Sequence, residues 1–166
     1  KAIRSHAVEK PDLRTTLATG RPNGCAQCHL DRSLAWTGQW LESWYGQPQP
    51  ELSEDQRRIA AGALWALTGD AGQRALIAWS LGWAPAREAS GTAWMPPYLL
   101  QLMANEPYDA VRFIAERSLR KLPGYERLAY DFLAPPEQRT QRVQAGAERF
   151  ERLLAKGRAR GRPETL

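Results

Sequence analysis

The sequence is poor in side chains that bind metals or cross-link a chain. Its 166 residues include only two cysteines, two histidines and two methionines. Two cysteines exclude a disulfide-rich scaffold, and two histidines exclude a metal site built from several imidazoles. No run approaches the roughly 18 consecutive apolar residues that a membrane-spanning helix needs. We therefore expect no membrane span, and any metal chemistry must depend on very few side chains.

The charge is positive and unevenly spread. The formal net charge is +5, and arginines concentrate from Arg139 onwards, ending in the glycine-spaced Arg158, Arg160 and Arg162. A basic surface favours acidic protein partners. The sequence contains no zinc knuckle, aromatic-basic strand motif or recognition-helix signature, so we expect no nucleic-acid partner. A solvated helix face with a frayed tail would account for the same arginines.

Apolar residues recur at helical spacing and no segment resembles a strand, which predicts an all-α fold. We expect an extended arm over residues 1–24, and a helix from about Cys25 or Ser33 to Tyr45. A second helix should begin at the capping box of Ser53, and Gly69 and Asp70 should separate it from a third. We expect a loop over 83–95, a helix beginning at Pro96-Pro97, one capped by Asp109, and a last one over 137–155.

Two of these segments resemble each other. Asp70–Leu81 aligns with Tyr108–Leu119 at an offset of 38 residues, with Arg74 matching Arg112. This period is typical of HEAT-type repeats, which are antiparallel helix pairs, although two ordinary amphipathic helices would give the same pattern. We divide the chain into an arm and motif segment (1–50), helical repeats (51–125), and a C-terminal helix with a basic tail (126–166). Together they should form one compact domain.

Both cysteines lie in one motif, Cys25-Ala26-Gln27-Cys28-His29. This C-x-x-C-H spacing lets two thiols bond to the vinyl groups of one haem while the adjacent imidazole binds the iron. We therefore predict one covalent haem c, attached through Cys25 and Cys28, with His29 as the proximal iron ligand.

Haem has three competitors for these five residues. A thioredoxin-type redox disulfide needs a βαβ context that this chain lacks. A zinc site could combine Cys25, Cys28, His29 and His6, but neighbouring residues rarely both reach one tetrahedral ion. The motif could also have arisen by chance.

The sixth iron ligand remains open between two residues. His6 lies on the arm before the motif and can fold back over the haem, unless it is a solvent-exposed terminal residue. Met95 lies in Trp94-Met95-Pro96, similar to the segment that supplies sulfur in small class I cytochromes c, unless it only fills a gap in the core. Met103 should belong to the core. We also expect Trp36 and Trp40 to shield the haem edge and Arg32 to face a propionate.

The stretch from Ser5 to about residue 125 resembles a known family. The segments Pro22-Asn23-Gly24-Cys25, Cys28-His29-Leu30-Asp31 and Leu34-Ala35-Trp36-Thr37 are similar to the haem segment of bacterial multihaem cytochromes with HEAT or tetratricopeptide-like repeats. The resemblance implies an exported electron-carrying cytochrome with histidine ligation, which favours His6. Such proteins often carry several C-x-x-C-H motifs, whereas this chain has one.

These observations predict a single-haem c-type cytochrome domain that transfers electrons between redox partners. We expect it to be periplasmic or extracellular, with its signal peptide already removed, and to be an electron carrier rather than an enzyme. The alternatives are a haem-bearing scaffold subunit of a larger multihaem complex, a His/Met-ligated cytochrome c, or a haem-based sensor or peroxidase. Its partners should be acidic redox proteins or other cytochrome subunits.

Overall fold

The fold is all-α, as predicted, in a computed structural model that describes residues 10–157. Across those residues there are ten helices and no strand. The helices are α1 (Leu13–Thr19), α2 (Gly24–Cys28), α3 (Leu34–Tyr45), α4 (Glu54–Arg58), α5 (Ala61–Thr68), α6 (Ala71–Leu81), α7 (Ala84–Ser90), α8 (Pro96–Asn105), α9 (Asp109–Leu119) and α10 (Pro136–Ala155).

Two helix pairs, α5–α6 and α8–α9, form the centre of the molecule. Links of only two and three residues make each pair antiparallel. The pairs stack so that α6 packs on α9 and α5 on α8, while α10 packs on α8. The core between these layers includes Ile77, Leu81, Leu99, Met103 and Leu119, all fully buried. This stacking places the two segments of the sequence repeat, α6 and α9, side by side.

An arginine recurs at the fourth position of four helices and donates to the backbone carbonyl five residues before it. The pairs are Arg57 with Leu52, Arg74 with Gly69, Arg112 with Pro107, and Arg139 with Ala134. Each bond ties the first turn of a helix to the link that precedes it. Arg74 and Arg112 therefore match in structure as well as in sequence.

The part of the predicted arm that the structure describes contains a helix. Residues 13–19 form α1, with the Asp12 side chain accepting from the Arg14 N–H at its start. Gly20 ends the helix in the left-handed conformation, and Leu13 and Thr16 are buried. Packing stabilises this short helix where the local pattern gave no sign of one. Residues 1–9 lie outside the described part of the chain.

Three other predicted boundaries were wrong. The expected loop over 83–95 contains α7. Only Ala86 of this helix is buried, so its sequence shows no apolar stripe that would predict a helix. The helix that begins at Ser53 breaks at Ile59 and Ala60 instead of continuing. Asp109 does not cap α9: it is the first helical residue, and its carboxylate accepts from Arg112.

Other end signals were confirmed. Ser53 and Asp70 both form capping boxes, Gly46 ends α3 and Pro96 begins α8. From residue 10 to residue 157, no helix is both long and apolar enough to cross a membrane.

Candidate functional site

The two cysteines lie on one side of α2. Residues three apart share a helix face, so Cys25 and Cys28 point to the same side, and both are partly exposed and free of disulfide bonds. Asn23 fixes the start of this short helix. Its side-chain oxygen accepts from the Ala26 N–H at 3.0 Å, and its amide donates to the Thr16 hydroxyl at 3.2 Å. The helix that carries the thiols is thereby anchored to α1.

His29 stands where α2 ends. Its backbone N–H donates to the Cys25 carbonyl at 2.8 Å, and its φ of −89° and ψ of 60° turn the chain out of the helix. The imidazole is partly exposed and packs against Trp36, with 4.8 Å between ring centroids and 49° between planes. The guanidinium of Arg32 lies 5.9 Å from the centre of the Trp36 ring. The two thiols and the imidazole, which Trp36 holds by ring packing, thus lie within five consecutive residues.

Two helices that lie far away along the chain, α7 and α5, hold the backbone at the end of the motif and just after it. The Ser90 hydroxyl, at the end of α7, donates to the Cys28 carbonyl at 2.7 Å and accepts from the Leu30 N–H at 2.8 Å. At the start of α5, the Gly62 N–H donates to the Leu30 carbonyl at 2.9 Å and the Ala61 N–H to the Arg32 carbonyl at 2.8 Å. The motif is therefore part of the packed fold.

A row of aromatic rings begins at His29 and follows α3. We call Trp36, Trp40, Trp44 and Tyr45 the α3 aromatic row. Successive ring centroids from Trp36 onwards are 6.1, 5.0 and 6.4 Å apart. Trp40 is 41% exposed and Trp44 is 60% exposed. Large exposed aromatic side chains in one row are typical of a surface that contacts another group or protein.

The environment of the thiols differs from that of a redox-active cysteine pair. Burial raises the pKa of Cys25, with a smaller opposing effect of a backbone hydrogen bond, and burial also raises the pKa of Cys28. Redox-active C-x-x-C pairs depend on a lowered thiol pKa, because the thiolate is the nucleophile. These pKa directions argue against a thioredoxin-type centre.

The donor set also fits haem better than zinc. Among the residues that the structure describes, no three His, Cys, Asp or Glu side chains converge as they would around a metal ion. Cys25, Cys28 and His29 therefore do not converge on one tetrahedral position, and His6, the fourth residue of the zinc hypothesis, lies outside the described residues. Attachment of haem needs no such convergence, since only the imidazole binds the iron.

The candidates for the sixth ligand have different surroundings. Met95 is 0% exposed and belongs to the hydrophobic core at the start of α8. Met103 is equally buried, as expected, and its carbonyl accepts from the Tyr130 hydroxyl at 2.6 Å. Both sulfurs are enclosed by protein, whereas Cys25, Cys28 and His29 reach the surface. The choice between His6 and Met95 stays a prediction.

Sequence reasoning missed Ser90 and Gly62. Ser90 lies 60 residues beyond Leu30, and nothing in its neighbourhood along the chain marks it. Gly62 stands among small residues at the start of α5, which is a weak sign of close packing. We found no family model, curated protein or solved structure that matches this chain. The assignment of a function therefore depends on the geometry around α2.

Proposed function

We propose that this chain is a single-haem c-type cytochrome domain that transfers electrons between redox partners outside the cytoplasm. The observation that carries the proposal is the arrangement of Cys25 and Cys28 on one face of α2, with His29 directly after it. The thiols would hold the haem and His29 would bind its iron. When bound, the haem would supply one-electron chemistry, while the chain fixes its position and partly shields it from water.

The burial of Met95 supports His6 as the distal ligand. Met95 is 0% exposed and belongs to the hydrophobic core at the start of α8. It would have to leave that core to bind an iron held by His29, whereas the resemblance to exported multihaem cytochromes favours a histidine.

Two strong ligands leave the iron without an open position, which suits electron transfer rather than catalysis. We therefore assign the chain no enzymatic role. The net charge of +5 supports acidic partners, and docking to them should be weak and guided by charge. Covalent attachment of haem and the resemblance to exported cytochromes support a periplasmic or extracellular location.

The first test is to produce the chain in a bacterial host with a c-type maturation system and to measure its haem. We expect one covalent haem per chain in a pyridine haemochrome assay and in the protein mass. The double variant Cys25→Ser, Cys28→Ser should lose the covalent haem. Ser53→Ala is the control, because it removes a hydroxyl that caps α4 away from the motif, and it should keep the haem. A wild-type chain without haem, or with bound zinc, would overturn the proposal.

The second test compares two candidates for the sixth ligand in the haem-loaded protein. His6→Ala should change the low-spin spectrum, and Met95→Leu should leave it unchanged because leucine fills a similar volume. A methionine charge-transfer band in the near infrared, lost in Met95→Leu, would instead assign Met95.

The α3 aromatic row favours a second candidate, a haem-bearing subunit of a larger electron-transfer complex. Trp40 and Trp44 are exposed in the row that continues from Trp36, the ring that packs against His29. A neighbouring subunit could cover them. Co-purification with other haem subunits at fixed stoichiometry from the native source would support this function. A monomer with no associated subunit would argue against this candidate and support the single-haem electron carrier.

A further inference from the structure

The Ser90 hydroxyl bonds to both peptide groups of His29. The Cys28 carbonyl that accepts its proton belongs to the peptide bond before His29. The Leu30 N–H that donates to its oxygen belongs to the peptide bond after His29. One hydroxyl therefore links the two peptide planes whose relative rotation defines φ and ψ of His29.

Ser90 is itself held in place. It ends α7, and its backbone carbonyl accepts from the Trp94 indole N–H at 3.0 Å. The Trp94 ring packs near Leu30 and Gly62, where a Cβ on Gly62 would come within 3.2 Å of the ring. The hydroxyl is thus presented from a packed part of the fold and is not a mobile surface group.

The backbone conformation of His29 is unusual enough to need support. Its φ of −89° and ψ of 60° lie outside the helical and strand regions, near the values of an inverse γ-turn. The His29 carbonyl accepts from the Arg32 N–H at 3.1 Å, but the Leu30 N–H of the same peptide bond points to Ser90. Without the Ser90 hydroxyl, the Cys28 carbonyl and the Leu30 N–H would be left to bond to each other across the three-residue turn, or to water.

We propose that Ser90 is a positioning residue for the axial iron ligand. By locking both peptide groups of His29, it fixes the direction in which the imidazole leaves the chain, and hence its orientation on the iron. This inference depends on the proposed function only in that His29 binds haem iron. Groups that orient a metal ligand tune the metal as well as its geometry, so α7 would influence the electronic state of the haem.

The test uses the haem-loaded protein and a pair of variants with the same side-chain shape. Ser90→Thr keeps the hydroxyl, and Ser90→Val removes it. We expect Ser90→Thr to retain the wild-type electron paramagnetic resonance g values and midpoint potential. Ser90→Val should shift both, with unchanged haem content in the pyridine haemochrome assay. The Leu30 amide should exchange about ten-fold faster in Ser90→Val, as loss of a hydrogen bond of about 1.4 kcal/mol predicts.

Ser53→Ala is the control, because it removes a capping hydroxyl that contacts neither peptide of His29. It should lower stability without moving the g values or the potential. Wild-type g values and potential in Ser90→Val would overturn the inference, as would an unchanged exchange rate of the Leu30 amide. If Ser90→Val does not fold, Ser90→Ala takes its place under the same criteria. A wild-type protein without haem would overturn the proposed function, which is a different observation.

Discussion

Gly62 has no side chain because the backbone of Leu30 occupies the space that a methyl group would need. A Cβ at this position would lie 2.8 Å from the Leu30 carbonyl oxygen and 2.9 Å from its Cβ. The same close approach allows the Gly62 N–H to donate to that carbonyl. The absence of a side chain at Gly62 thus lets the backbone of Leu30 lie against α5. The hydrogen bond that holds it there joins two backbone groups.

We therefore expect Gly62→Ala to destabilise the protein by about 1–3 kcal/mol, the usual cost of overpacking a core. The measurement is urea unfolding followed by far-ultraviolet circular dichroism. Gly24→Ala is the matched control, because its nearest neighbour, the Pro11 ring, would be 4.0 Å from the new Cβ. That variant should be unchanged or slightly more stable. Equal effects of the two substitutions would contradict the close approach.

Tyr125 makes stability depend on alkaline pH. It is 1% exposed, its hydroxyl donates to the Gly146 carbonyl at 3.3 Å, and burial raises its pKa from the ordinary 10.0 to about 12. The folded state holds the phenol proton more tightly than the unfolded state. The stability that Tyr125 adds is therefore fully present below pH 10, and it is lost as the pH rises through about 12.

Tyr125→Phe should cost about 1 kcal/mol at pH 8 through the lost hydrogen bond. The same variant should lose less stability than the wild type between pH 10 and pH 12. Urea unfolding at several pH values measures both effects. Tyr108→Phe, at an exposed position, should follow the wild-type pH dependence. A parallel fall in stability for wild type and Tyr125→Phe would refute the role of Tyr125.

At the scale of elements, an ion pair joins the helix pair α5–α6 to the helix pair α8–α9. Arg74 in α6 donates two hydrogen bonds to the carboxylate of Glu106, in the link between α8 and α9. The Glu106 side chain is 1% exposed. Loss of one partner of a buried pair leaves an uncompensated charge in the core, which is far more harmful than loss of both.

Arg74→Met should therefore lower the free energy of unfolding by about 3 kcal/mol. Adding Glu106→Gln should recover part of that loss, because the buried group is then neutral. Chemical denaturation of the two single variants and the double variant gives the coupling energy. Arg58→Met is the control, since Arg58 and its partner Glu54 are both largely exposed, and it should change little. Additive effects at Arg74 and Glu106 would contradict the coupling.

The sequence predicted those helices whose ends carry strong local signals. Ser53, Asp70 and Pro96 mark starts because a capping side chain or a proline ring satisfies helix termini without distant partners. The break before Ala61 could not be predicted, since it arises when the Ala61 and Gly62 N–H groups turn to the carbonyls of Arg32 and Leu30, far back along the chain. Helices α1 and α7 were missed because each buries too few residues to show a periodic stripe.

The candidate site follows the same division. The sequence alone singles out Cys25, Cys28 and His29 as the candidate haem site, because covalent attachment of haem would require this short spacing. Ser90 and Gly62, which hold the motif in place, come from α7 and α5 and lie far away along the chain. Their roles depend on which helices pack together, and this is decided by the core rather than by any local pattern.

At the scale of the whole molecule, the motif segment and the helices from α4 to α9 are connected too closely to act as independent units. The Ser90 hydroxyl, the Gly62 and Ala61 N–H groups and the buried Leu30 side chain all cross the boundary drawn near residue 50. His29 itself contacts Trp36, the first ring of the α3 aromatic row. Helices α5 and α7 therefore hold the backbone of the motif, while Trp40 and Trp44 of α3 remain exposed.

Because these contacts cross the boundary, we expect the motif segment and helices α4 to α9 to unfold together. In the haem-loaded protein, thermal unfolding followed at the haem absorption band and by far-ultraviolet circular dichroism should give the same midpoint. Gly62→Ala should lower both midpoints equally, by about 2–4 °C for each kcal/mol lost in a chain of this size. A midpoint at the haem band well below the midpoint from circular dichroism would contradict this joint unfolding. It would mean that the motif segment can detach while α5–α6 and α8–α9 stay folded, so that Ser90 and Gly62 would contribute little to holding it.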